Sequence, residues 1–191
     1  METIQKRCLL KSAVLVLAMS LVVTAYLGGT GPSPALAAGG GGHGGPFKDC
    51  WMTGGGSIFD RYEYGGRVTH GFVLHCTPRN SDNLQVVDHA INTSFHLQTL
   101  TSAICLDDPA IEPNPPDATF DTFVGEGTGV CRQPGGNDFP CTATWTFTDG
   151  GEVGGCVRDT ALIEVRNRDT GAVVFSVSGD VDCGNHQAHS P

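Results

Sequence analysis

Beyond its first 27 residues the chain lacks a helical signature: no stretch keeps apolar residues at i, i+3, i+4 and i+7 over three turns. What remains is the vocabulary of strands and turns. Basic residues are also scarce, 11 Lys and Arg against 20 Asp and Glu. A field of that sign repels phosphate backbones and anionic lipid surfaces, which argues against a nucleic-acid partner. No C-x-x-C pair occurs among the eight cysteines, so they do not read as a zinc site. Nucleophile-elbow, HExxH and P-loop patterns are missing as well, and no catalytic residue is assigned.

What is present begins with an export signal. Lys6, Arg7 and Lys11 form a basic head, Ser12 to Leu27 an apolar run, and Ala35 and Ala37 a small-residue cleavage point. The apolar run of 16 residues falls short of the roughly 20 needed to cross a bilayer, and Gly28, Gly29 and Gly31 follow at once. Residues 1–38 are therefore expected to be a cleaved signal peptide, with no membrane span left afterwards. Removing them takes away three basic residues and Glu2, which leaves 8 basic and 19 acidic residues and a net charge of −11. Residues 39–48, opening on GGGGHGG, read as a flexible glycine-rich linker. Residues 49–191 are enough for one domain with a real core.

Within that domain the apolar residues alternate. Val68, Phe72, Leu74 and Cys76 share one parity, as do Phe95 and Leu97, and TATWTFT sets Ala143, Trp145 and Phe147 against four threonines. Thr160 to Arg166 and Ala172 to Val177 predict a hairpin turning at Asn167 to Gly171. Pro109, Pro113, Pro115 and Pro116 make an extended connection. The expected fold is all-β: a single β-sandwich of about seven to nine strands, Ig-like or jelly-roll-like, with a small β-barrel as the second choice.

Seven cysteines follow the signal, and export places them where disulfides persist. Spacing alone does not fix connectivity; the expected bridges are Cys76–Cys105, Cys131–Cys141 and Cys156–Cys183, with Cys50 left as a free thiol or paired outside the domain. The histidines suggest a metal alternative, zinc on His70, His75, His186 and His189. His70 and His75 lie five apart and face opposite sides of a regular strand, so both reach one ion only if Gly71 sits in a bulge. His75 meeting His96 across strands is a further possibility. The simpler reading leaves His70 in the core and the two tail histidines in solvent, on a mobile chain end. Asp107 with Asp108, or Asp121 with Glu126, offer paired carboxylates, but DDP and GEG read as loop chemistry. Asp180 and Asp182 are too few oxygens for calcium. Trp51, Tyr62 and Tyr64 are candidates for a sugar-stacking platform. No cofactor is expected, with zinc or calcium as alternatives.

VTHGFVLHC, NLQV, FHLQTLTSAICLDDP, TATWTFTDGGE and SGDVDCGNHQAH together resemble the post-COAP (post choice-of-anchor P) domain of bacterial secreted and surface proteins, from about Cys50 to His189. The resemblance implies an extracellular β-rich module and carries over no catalytic residues. Cys131, Cys141, Cys156 and Cys183 depart from that pattern, leaving Cys50, Cys76 and Cys105 as the family-type set. The expected function is a non-catalytic extracellular or envelope-associated module whose partner is an extracellular protein or polysaccharide. The alternatives are a metal-binding protein or metal-dependent enzyme built on the four histidines, and an envelope component cross-linked through Cys50.

Overall fold

The computed structural model describes residues 47–59, 66–111, 118–151 and 158–191. They form nine strands: β1 (Trp51–Phe59), β2 (Arg67–His75), β3 (Asn83–Asp88), β4 (Thr93–Leu106), β5 (Thr122–Arg132), β6 (Phe139–Thr148), β7 (Thr160–Asn167), β8 (Val173–Asp180) and β9 (Cys183–His189). No described residue is helical. All nine strands belong to one antiparallel sheet in the order β8-β7-β6-β5-β4-β3-β2-β1-β9. Each of the first eight strands therefore pairs with its neighbour in sequence, and β9 returns to lie beside β1.

That order dictates the shape. β8 and β9 are the two edges of the sheet, yet only Val181 and Asp182 separate them. Laid flat, nine strands would put the edges about 38 Å apart at roughly 4.8 Å per strand. Three Cα steps from Asp180 to Cys183 reach at most about 11 Å. The sheet must curl until its edges meet. β8 and β9 also run in the same direction, so they act as one long strand that pairs first with β7 and then with β1. The change of partner is visible in two consecutive amides: Val181 donates to the carbonyl of Asp159 and Asp182 to that of Ser57, both at 2.9 Å. The result is a barrel-like cylinder of eight staves, the last bent across the join.

The all-β expectation holds, and the strand count falls within its range. Opposite walls of the curl face one another as the layers of a sandwich do, but hydrogen bonding runs unbroken from one to the other. Inward positions follow the predicted parity: Val68, Phe72 and Leu74 on β2, and Ala143, Trp145 and Phe147 on β6, are all buried. The β7–β8 hairpin also forms as expected, with Gly171 at φ 72° donating to Asn167.

Three strands, β1, β5 and β9, carry no apolar alternation in the sequence, and all contain glycine. On β5, Gly125, Gly127 and Gly129 occupy inward positions between Phe123 and Cys131. A Cβ at Gly125 would sit 2.4 Å from the Trp145 ring, and one at Gly127 would sit 2.3 Å from Leu97. Small residues here face large ones, which is how a narrow barrel is filled. GEG is therefore strand and not loop. The GNHQAH tail is corrected too: it is β9, and His186 is 0% exposed.

Cys76–Cys105 and Cys131–Cys141 are bridged. Cys50 is free, as expected, and buried. Cys183 is free and exposed; Cys156, its expected partner, lies outside the described residues, as do the signal segment, Tyr62 and Tyr64. Phe47 and Lys48, assigned to the linker, already belong to the fold: Cys50 donates to the Phe47 carbonyl, and the Phe47 ring lies 6.0 Å from that of Phe120.

Candidate functional site

Two places concentrate polar side chains, one inside the barrel and one outside. The inner one is a histidine pair. β2 keeps unbroken register through Gly71, so there is no bulge; His70 points inward and His75 belongs to the other face. β9 lies on the far side of β1 from β2, and His186 points inward from it. The residues of β1 paired with these two histidines are Gly56 and Gly54. With no side chain at either, the imidazoles meet across β1, and their Nε2 atoms stand 2.7 Å apart. A Cβ at Gly54 would come within 2.9 Å of the His186 ring.

Neighbouring groups set the tautomers. His186 Nδ1 lies 3.0 Å from the carbonyl oxygen of Thr148, which only accepts, so Nδ1 carries the proton. His186 Nε2 is then a lone pair, and His70 Nε2–H donates to it. His70 Nδ1 is left as a buried acceptor with no partner among the described residues. Phe72 and Phe147 stack at 4.3 Å and wall the pair in, each about 5 Å from the His186 ring. Burial holds both imidazoles well below their ordinary value of 6.5: His70 at about 3, with the neighbouring His186 adding to the effect, and His186 at about 4. Both are neutral at physiological pH. Two neutral imidazoles in an aromatic box form a packed polar contact, satisfied at three of four ring nitrogens.

The free edge of β9 is covered by carboxylates in place of a strand. Asp159 accepts from the amide of His186, and Asp149 from that of Ala188 at 2.8 Å. Burial raises the Asp149 carboxyl above the usual range, against the pull of the hydrogen bonds it accepts from the Ala188 and Gly151 amides. Sequence reasoning had no means to single out either residue, since their partners are backbone groups on a distant strand.

The structure disperses the other candidates. His75 Nδ1 lies 2.7 Å from Asp82 Oδ1, and His189 lies 2.8 Å from Thr53 Oγ1 and stacks on Trp51. His96 faces Gln85, not His75. Among the described residues no three His, Cys, Asp or Glu side chains gather as a metal would require, so the four-histidine set is not assembled. Asp121 is buried and occupied by the Asp108 amide and the Thr122 hydroxyl, while Glu126 stands exposed on β5.

The outer place is a groove of about 550 Å³ across β3, β4 and β5. Gln85, His96, Gln98, Arg132 and Asp138 line it over an apolar floor that includes Val130. Gln85 Nε2 and His96 Nδ1 are 3.1 Å apart. Arg132 meets Asp138 in a two-pronged contact, Nε to Oδ1 at 2.9 Å and Nη2 to Oδ2 at 2.8 Å. The Cys131–Cys141 bridge ties the base of the hairpin that carries Asp138. The sequence signal for this face is the outward parity of Gln85, His96 and Arg132, which becomes informative only once the strands are paired.

No family model, curated protein or solved structure matches the chain.

Proposed function

We propose that the chain is an exported, non-catalytic module that binds an extracellular polymer or protein through the outside of its barrel. The observation that carries this reading is the filled interior. Phe95, Phe123, Trp145, Phe147 and Ile163 are all at most 1% exposed and occupy the space in which a larger or emptier barrel would hold a small ligand. Recognition then falls to the outer surface. The export signal and two disulfides support an oxidising, extracellular setting. Among the described residues no helix is long and apolar enough to cross a membrane. The resemblance to the post-COAP domain supports the same setting, and the acidic balance disfavours polyanions.

The test is to purify the exported protein, sequence its N-terminus and pass it over arrays of cell-wall polymers, glycans and surface proteins. A start at Ala38 or Gly39 with retention on one ligand class is expected. Retention of the chain in the cytoplasm, or turnover of an arrayed substrate, would overturn the proposal.

A further inference from the structure

We infer that the groove on β3–β5 is a subsite for a neutral, polyhydroxylated chain: a short run of sugar rings in a polysaccharide. The inference rests on the exterior-binding reading above and deepens it by naming a place and a ligand class. Charge comes first. Among the described residues that line the groove, Arg132 and Asp138 are the one oppositely charged pair, and they cancel each other in a two-pronged contact. Neither a phosphate nor an ammonium group meets a net opposite charge there. The remaining polar groups are Gln85, Gln98, His96 and Ser94. Each can donate and accept, which suits hydroxyls that do both. Val87 and Val130 give the floor an apolar component for the C–H faces of sugar rings.

The groove is also preorganised. Gln85 and His96 are cross-strand partners in register and hold one another. Asp138 fixes the Arg132 guanidinium, and the Cys131–Cys141 bridge fixes the hairpin that brings Asp138 there. Holding polar groups in place before the ligand arrives reduces the ordering cost of binding. About 550 Å³ lies within the usual range for ligand sites and fits two or three rings of an extended chain.

The experiment measures binding of the exported protein to neutral oligosaccharides of about two to six rings: β- and α-linked glucans, mannans and N-acetylglucosamine oligomers. Hyaluronate, polyphosphate and an uncharged polar peptide serve as comparison probes. Three variants are compared with wild type: Gln85→Ala/His96→Ala, Arg132→Ala, and Leu162→Ala on the exposed face away from the groove. All alter surface residues, and unchanged melting temperatures verify folding. The expected result is binding to a neutral oligosaccharide that weakens at least about tenfold in both groove variants and stays within about twofold in Leu162→Ala. Neutral glycan binding that survives both groove changes would overturn the subsite and leave the exterior-binding reading standing. Preference for the polyanions or the peptide would overturn the ligand class. No binding to any probe, with none on the wider array, would overturn both readings.

Discussion

At the scale of single residues, packing at one glycine matters as much as any large side chain. Trp145 and Gly125 are the two halves of one contact, on neighbouring strands and in register. Gly125→Ala is expected to cost about 1–3 kcal/mol, because the new methyl meets an indole that has nowhere to go. Combining it with Trp145→Phe should cost less than the sum of the two single changes; strict additivity in thermal melts would show that the contact is not shared. The histidine pair makes stability depend on pH. Its folded-state values, about 3 and about 4, lie below the unfolded 6.5, so between these limits the unfolded chain binds more protons. The contribution is complete above pH 6.5 and is lost as pH falls toward 4. Asp149 and Asp121, whose carboxyls are raised by burial, act with the opposite sign and offset part of that loss. The melting temperature should therefore fall steadily from pH 7 to 4.5, and His70→Leu/His186→Leu should flatten that fall while the other five histidines remain. An unchanged slope in the double variant would mean that the imidazoles are solvated.

At the scale of elements, the two bridges do different work. Cys76–Cys105 spans 29 residues and joins the end of β2 to the end of β4, across β3. Cys131–Cys141 spans only 10 and joins strands that are already hydrogen-bonded. Restricting the unfolded chain is worth more for the longer loop, roughly 2–4 kcal/mol. Replacing both cysteines of the first bridge by serine should lower the melting temperature further than the same change in the second. The reverse ranking would show that strain or local packing outweighs the chain-entropy effect. On the outer face, Ile104, Val124, Thr146 and Leu162 lie in one cross-strand row, and Ile104 and Leu162 are among the most exposed apolar residues. That row gives the module a second exposed surface, distinct from the polar groove, and it supplies the control position for the binding experiment.

At the scale of the molecule, the fold depends on closing a curl, and β9 closes it. It covers the edge of β1 from Trp51 to Ser57 and places His186 in the core. A chain ending at Asp182 would leave that edge unpaired, remove a buried ring from the barrel and strip Asp149 and Asp159 of their β9 amide partners. Exposed edges recruit other chains. Such a truncation is expected to abolish the single cooperative melt and to drive the protein into aggregates in size-exclusion runs. A soluble monomer with the wild-type melting temperature would reduce β9 to an appendage.

The amino-acid sequence by itself determined a good part of this. Alternation in VTHGFVLHC and TATWTFT assigned which side chains of β2 and β6 are buried, because period-two burial is a local property of an extended chain. Gly171 and the flanking β-branched residues marked the β7–β8 hairpin, whereas cysteine connectivity is not readable from a sequence, and it is the fold that brings Cys76 to Cys105 and Cys131 to Cys141. β1, β5 and β9 were illegible because the pattern is carried by side chains, and their inward positions are held by Gly54, Gly56, Gly125, Gly127, Gly129 and a histidine. A glycine under Trp145 or beside His186 has meaning only in relation to the ring that fills its place. Likewise, His70 and His186 are 116 residues apart, and their meeting required the sheet to bring its last strand beside its first. Local chemistry set the strands and their faces; closure of the sheet decided which faces meet.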